Sequence, residues 1–344
     1  MILPWHQSDW QRIAGAVASQ HHGLMLSGCP GTGKREFAME LAQRILCGQT
    51  STADPCGVCQ DCKLFHAGTH PDLHLLTSEY ETVNGRMDLA AKYSERYQDG
   101  VARDKKVNPG RIIPVDQVRL LIDRFYQSSH IAANRVALVM PADRLNTNAA
   151  NALLKMLEEP PEGAYFILVA DQPGLLPATI RSRCLLETLA RPAASVARQW
   201  LAEQGAGAEL MASVDGAVDG PIHLLQKERS GELTQQHENL GALLGVMTGR
   251  QDPVALAAAM SKQEILPLLQ WMQSIFVELI KWHSAGQVPV WAAKTGLDIS
   301  RISSIKLHSV YDKIGRYRNI ARDQINPQLA LDEILIAVQH GLRS

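Results

Sequence analysis

With 344 residues, 46% of them hydrophobic and 20% charged, the chain is long enough for two or three domains and has the makeup of a globular protein. Its 34 Lys and Arg against 35 Asp and Glu leave a net charge of −1, so no global basic field marks a nucleic-acid binder. No apolar run reaches membrane-spanning length. Nor does Met1-Ile2-Leu3-Pro4-Trp5-His6 carry the basic start and long apolar core of a secretory signal, so a cytoplasmic address with no membrane partner is expected.

In chain order, apolar runs of strand length fall at Leu24–Leu26, Leu73–Leu76, Val136–Met140 and Tyr165–Ala170. They are compact, and three are almost uninterrupted by polar groups, as strands buried on both faces of a parallel sheet are. Helices are expected at 12–27, 35–46, 115–128 and 147–158. The last has Asn146 or Thr147 as its cap, Ala149, Leu153, Met156 and Leu157 on one face, and Pro160-Pro161 as its stop. The first half is therefore α/β and doubly wound. After Arg191-Pro192 the strand runs end. Ala-, Leu- and Gln-rich helical patterns follow, with a Gly- and Asp-rich turn at 214–221 and helices including 262–284 and 327–342. This divides the chain into an α/β domain (1–190), a small helical lid (191–227) and an all-α domain (228–344). The polar segment 79–111 carries seven Lys/Arg against six Asp/Glu and is expected to be a solvated insertion with some helix at 87–97.

Gly28-Cys29-Pro30-Gly31-Thr32-Gly33-Lys34-Arg35 lies between the first apolar run and a helix. A Gly-rich loop in that setting turns backbone N–H groups, a helix N-terminus and a lysine toward a phosphate. Gly28, Gly31, Gly33 and Lys34 are the candidate phosphate contacts. The motif wants Ser or Thr after the lysine to ligate Mg²⁺, and Arg35 stands there. A working ATPase also needs carboxylates at the end of a second strand. Here Val136–Val139 runs into Met140-Pro141, and Asp143 arrives three residues late, as a loop residue before the next helix. Both defects fall on the same metal, so ATP hydrolysis by this site is not expected.

Of six cysteines, Cys47, Cys56, Cys59 and Cys62 crowd into one short stretch. In a large, non-secreted chain this pattern favours a metal over disulfides. Four thiolates suit a tetrahedral structural zinc. An iron–sulfur cluster is the competitor, because Cys56-x2-Cys59-x2-Cys62 opens like a ferredoxin run. The x3-Cys-Pro that should follow is replaced by Lys63-Leu64-Phe65-His66, so zinc is preferred. Cys29 and Cys184 read as buried thiols.

Asn151-Ala152-Leu153-Leu154-Lys155-Met156-Leu157-Glu158-Glu159-Pro160-Pro161, followed by Thr179-Ile180-Arg181-Ser182-Arg183-Cys184, resembles the clamp-loader subunits of the AAA+ family. Pro4-Trp5, His21-His22, the four-cysteine module, Gly68-Thr69-His70-Pro71-Asp72 and the degenerate ATP motifs match as well. The similarity is strong over 1–190 and looser beyond. It implies an AAA+ P-loop-type sheet domain with an inserted zinc module at 47–62, then a helical lid and an all-α collar. It also implies a role within the bacterial DNA polymerase III clamp loader, beside ATP-hydrolysing gamma/tau subunits and delta. That assembly opens the ring-shaped sliding clamp and places it on primed DNA. The match of Ser182-Arg183-Cys184 implies that Arg183 reaches into a neighbouring subunit's ATP site as an arginine finger. The segment 79–111 is longer than the family pattern, and retention of Gly33-Lys34 leaves nucleotide binding open. Two other readings compete: a self-sufficient AAA+ ATPase with a rearranged metal site, and a zinc-dependent DNA-binding module. Arg35 and Met140-Pro141 argue against the first. Near-neutral charge and the absence of a base-reading helix argue against the second.

Overall fold

The computed structural model describes residues 2–18, 21–49, 54–85, 87–98, 109–127, 131–214, 219–289, 291–292, 295, 297, 299, 302–320 and 325–342. It forms two compact units, Met1–Val196 and Ala197–Ser344.

The first unit is built on a five-stranded parallel sheet. Its strands are β1 (Gly23–Ser27), β2 (Leu73–Leu76), β3 (Arg135–Val139), β4 (Ala164–Val169) and β5 (Leu185–Thr188), in the spatial order β2-β3-β4-β1-β5. The apolar runs became strands because helices cover both faces. Leu24 and Leu26 join one core with Phe37, Leu41, Leu73, Leu75, Val136 and Leu138. Met25, Leu76, Ala137, Val139, Phe166 and Leu168 join the core on the opposite face with Leu121, Phe125 and Leu153. β1 lies between β4 and β5, with Leu26 in register with Val169 and with Glu187. The loop after β1 therefore sits beside the loop after β4, and this adjacency shapes the site.

Helices α1 (Gln7–Ala18), α2 (Lys34–Leu46) and α3 (Gln60–Ala67) precede β2. The first corrects the expected helix at 12–27: it begins five residues earlier and stops before β1, because residues 23–27 are held extended by pairing with β4 and β5. Next come α4 (Glu79–Asn84), α5 (Asp88–Ser94) and a 3-10 turn Glu95–Tyr97. Here the expectation of a solvated insertion fails. Tyr93 is fully buried and joins Ala90 in one core, while Tyr97 packs in the other. Tyr93 also donates its hydroxyl to the Phe65 carbonyl at 2.9 Å, which ties α5 to α3. Residues 99–108, and with them Arg103, Lys105 and Lys106, lie outside the described residues.

Helix α6 (Val115–Gln127) precedes β3, and α7 (Thr147–Glu158) precedes β4. Asn146 caps α7 by accepting from the Ala149 N–H at 2.7 Å. After β4 come the one-turn α8 (Ala178–Arg181) and then β5, a strand that no apolar run announced. Its residues alternate between half-buried and exposed because β5 is an edge strand.

Past α9 (Ala194–Glu203), which crosses the boundary between the units, the second unit is all-helical among the described residues. It holds α10 (Ala208–Ser213), α11 (Pro221–Arg229), α12 (Glu232–Met247), α13 (Pro253–Met260), α14 (Ile265–Ala285), α15 (Ser304–Ile320) and α16 (Pro327–Leu342). A single core runs through α12 to α16, with Leu243, Met272, Phe276, Ile314, Leu331 and Leu335 fully buried. The expected turn at 214–221 lies between α10 and α11, with 215–218 outside the described residues. No described helix is long and apolar enough to cross a membrane.

Candidate functional site: phosphate loop, cysteine cluster and arginine motif

The loop after β1 has the backbone its glycines permit. Gly33 sits at the N-cap of α2 with φ 97°, a left-handed conformation that strains any L side chain. At Gly28 a Cβ would stand 2.7 Å from the Leu189 carbonyl oxygen. Lys34 begins α2, and its side chain is 3% exposed. Its ammonium donates to the Gly28 carbonyl at 2.9 Å and the Cys29 carbonyl at 2.8 Å, and pairs with Asp171 Oδ1 at 2.7 Å. Asp171 stands just after β4. The order of the sheet, not any sequence pattern, brings it across 137 residues to Lys34 (171 − 34).

From the other side the 3-10 turn Pro4–His6 holds the loop. Trp5 Nε1 and His6 Nε2 both donate to the Thr32 carbonyl, each at 2.8 Å. Burial lowers the His6 pKa, which keeps the ring neutral near pH 7, and Thr32 turns its hydroxyl inward to the Cys29 carbonyl at 2.8 Å.

Arg35, in the place where a hydroxyl would ligate Mg²⁺, forms a two-pronged pair with Glu81 of α4, with Nη1 to Oε2 at 2.6 Å and Nη2 to Oε1 at 2.9 Å. Segment 79–97 thus supplies the counter-charge to the residue that breaks the motif. The two side chains are 32% and 21% exposed, so solvent screens part of the attraction. Glu81→Ala is expected to lower the unfolding free energy by about 1 kcal/mol in urea titrations. An unchanged midpoint would show that the pair contributes nothing.

At the end of β3, Met140 and Pro141 are joined by a cis peptide bond, and neither side chain offers a metal ligand. Asp143 lies in the 3-10 turn Ala142–Arg144, where its Oδ1 accepts the Asp171 N–H at 3.2 Å. Burial, then the neighbouring Asp171 charge, pushes its pKa up. Asp143 therefore steadies the loop that carries Asp171, in keeping with its reading as a loop residue.

The four clustered cysteines meet in space, their Sγ atoms all within 4.8 Å of one another. Cys47 Sγ and Cys59 Sγ are 3.9 Å apart, and Cys56 Sγ and Cys62 Sγ 4.0 Å. A tetrahedral ion with metal–sulfur bonds of ~2.3 Å needs sulfur–sulfur edges of about 3.8 Å, whereas a disulfide needs about 2.05 Å. All six cysteines are free. Backbone N–H groups point at the sulfurs: Cys56 N at Cys47 Sγ (3.5 Å), Cys59 N at Cys56 Sγ (3.3 Å) and Cys62 N at Cys59 Sγ (3.4 Å). At Cys56 such donors favour the thiolate. The N–H groups of Val58 and Cys59 lower the Cys56 pKa to about 6. Cys47 at the end of α2 and Cys62 on α3 are buried, so the cluster is rooted in the first unit. These four residues can hold a metal ion.

Arg183 follows α8 in the turn before β5, and its side chain is 34% exposed. Its guanidinium donates to the Thr179 carbonyl at 2.9 Å and lies 2.5 Å from Glu158 Oε1, at the end of α7. The Ser182 hydroxyl bonds the Thr179 carbonyl at 3.1 Å. Cys184 is half-buried, with its pKa pushed up to about 12 by burial, and Cys29 is also half-buried; both are less enclosed than expected. Sequence reasoning missed Asp171 and Glu81, which lie in no motif, and it missed the pairing of Glu158 with Arg183, although Glu158 lies within the Asn151–Pro161 segment. The His70-Pro71-Asp72 stretch is structural: Asp72 Oδ2 accepts the N–H groups of Ile131 and Ala132, both at 3.0 Å, ahead of β3.

A family model described as DNA polymerase III, delta subunit, matches residues 7–193, more than half of the chain. The chain belongs to that family. A second model, the C-terminal part of the DNA polymerase III delta subunit, matches residues 231–340. The DNA polymerase III subunit delta' of Yersinia pestis is 28% identical, covering 98% of this chain and 96% of that protein. Its counterpart from Escherichia coli is 27% identical, covering 99% and 96%. That of Pseudomonas aeruginosa is 35% identical over a shorter stretch, 58% of this chain and 52% of the relative. The first unit accordingly has the AAA+ P-loop-type parallel sheet, with the cysteine module inserted between α2 and β2 and a helical unit after it.

Proposed function

We propose that this chain is a non-hydrolysing subunit of a DNA polymerase III clamp loader, working beside gamma/tau and delta subunits to place the sliding clamp on primed DNA. Likeness to proteins named subunit delta' over nearly the whole chain supports the assembly. The observation that carries the non-hydrolysing part is the state of both metal-handling positions. Arg35 is locked to Glu81 where a hydroxyl should stand, and Met140-Pro141 ends β3 where carboxylates should stand. Neither Arg35 nor Met140-Pro141 offers Mg²⁺ a side-chain ligand, and neither can position water. Gly28, Gly31, Gly33 and Lys34 are read as a vestigial phosphate loop.

Within this reading Cys47, Cys56, Cys59 and Cys62 hold a structural zinc, whose four bonds staple the segment between α2 and α3 and leave no position for a substrate. Arg183 serves in trans as an arginine finger, with Ser182 and Cys184 shaping its turn; its surface position and its place directly after α8 support that role. Residues 191–227 are read as a small helical lid and 228–344 as an oligomerising collar. For the collar, support comes from a continuous core whose buried members run from Leu240 to Val338, and from the second family match, which starts at 231. The site of action is the cytoplasm, with no membrane partner.

The purified chain alone is expected to hydrolyse no ATP above background, with or without Mg²⁺, in a coupled assay. Turnover that disappears in Lys34→Ala would overturn the proposal in favour of a self-sufficient ATPase.

A further inference from the structure

The vestigial loop raises a question that its missing metal ligands do not answer. A glycine loop with an intact lysine can bind a phosphate without Mg²⁺, since its N–H groups and ammonium do the binding. A lysine ammonium has three N–H donors. In this structure Lys34 meets three acceptors at bonding distance: the carbonyls of Gly28 and Cys29 and the carboxylate of Asp171. Two of the three belong to the loop itself, so the ammonium is folded back onto the backbone it should help present. The third sets a negative charge against the ammonium, which a phosphate would have to displace to reach it. Asp171 is 31% exposed while Lys34 is 3% exposed, so the carboxylate lies on the solvent side of the pair. An anion entering the loop meets the acid before the base.

The pair is held from behind. Asp143 Oδ1 accepts the Asp171 N–H, fixing the loop after β4, and Trp5 and His6 fix the opposite side of the phosphate loop through the Thr32 carbonyl. Neither restraint involves the Asp171 side chain, so changing that side chain leaves the scaffold in place.

Resting on the non-hydrolysing reading above, we propose that Asp171 is the residue that keeps polyphosphates out of this loop, acting as a built-in carboxylate substitute for the phosphate on Lys34. The loop is then not decayed but occupied. Removing the carboxylate charge frees Lys34 for a di- or triphosphate, in a Mg²⁺-independent manner.

The test compares the full-length wild type, Asp171→Asn, Asp171→Ala and the double variant Asp171→Asn with Lys34→Ala. ADP and inorganic tripolyphosphate serve as probes, titrated calorimetrically at low salt without Mg²⁺. Thermal unfolding with and without probe is followed in parallel. Asn keeps the shape of the side chain and the backbone N–H bonded to Asp143; Ala removes any residual acceptor for Lys34. The expected result is a gain of binding of about tenfold or more in at least one single variant, the size of one lost charged hydrogen bond. A probe-dependent rise in unfolding temperature, absent from the wild type, should accompany it, and both should be abolished by Lys34→Ala. Three results would each overturn the proposal: wild type binding as tightly as the variants, folded single variants that gain nothing, or a gain that survives loss of Lys34. ATP turnover, measured separately on the wild type, tests the non-hydrolysing reading. Wild type that binds ADP but hydrolyses nothing would sink the role of Asp171 and leave that reading standing.

Discussion

Arg183→Ala is expected to leave this chain folded and able to join its complex, while ATP hydrolysis collapses at the neighbouring site that receives the finger. Its partners include the Glu158 carboxylate, the Thr179 carbonyl and the Ser182 hydroxyl, and the Arg183 and Glu158 side chains are 34% and 45% exposed. A pair so open to solvent contributes about 0–1 kcal/mol, so unfolding should barely change. At a transition state for phosphoryl transfer the same guanidinium is worth far more. Fingers acting in trans contribute about 10³–10⁵ in rate, so clamp- and DNA-stimulated ATPase should fall to what the other sites supply, and clamp loading should slow with it. Arg183→Lys should rescue poorly, because one ammonium cannot reproduce the planar fork that grips phosphate oxygens. Lys34→Ala is the control, since its ammonium is spent on Asp171 and the loop carbonyls. Loading lost in Lys34→Ala and kept in Arg183→Ala, both measured in the reconstituted complex, would mean that the chain works through its own site.

The second large effect is expected at the cysteines. Elemental analysis should find one zinc per chain and no visible absorption of the iron–sulfur kind. Stripping the metal, or Cys59→Ser, should loosen the region around Cys47 and 54–66, seen as faster amide exchange there. Folding free energy of order 10 kcal/mol is stored in structural zinc sites of small domains, and here it is spent on a local loop. Phe65 and Cys62 anchor that loop in the first unit, so some loss of protection should spread to α2 and α3. The helices of the second unit, Ala197–Ser344, have their own core and should keep their protection. A brown, iron-containing protein would decide for the competing cluster. Global unfolding on zinc removal would show that the metal supports far more than its loop.

Much of the architecture is legible in the sequence alone. Four of the five strands coincide with compact apolar runs, broken only by His74 in β2, and each run lies within a residue of its strand because a strand buried on both faces carries few polar positions. α7 was bounded correctly by Asn146 and Pro160-Pro161, since capping and proline chemistry act within a few residues. The cysteine cluster was equally plain: its ligands fall within one short loop, and local spacing alone brings them together. Where the reading failed, the deciding contact was distant. β5 exists because the edge of β1 needs a partner, and its mixed residues carry no signal of their own. The segment 79–97 counts as polar by composition, yet Tyr93 and Tyr97 pull it into two cores that only the sheet creates.

The same division runs through the site. By itself the sequence determined that the phosphate loop lacks its metal hydroxyl and that β3 ends without carboxylates, because these are identities at fixed offsets within a motif. Only the tertiary structure decided what became of the charges left behind. Lys34 is claimed by Asp171 because the sheet order sets the loop after β4 next to the loop after β1, and Arg35 is claimed by Glu81 of α4, 46 positions along the chain. Ion pairs between residues tens to hundreds of positions apart leave no periodicity in a chain; they follow from topology, and topology is a property of the fold.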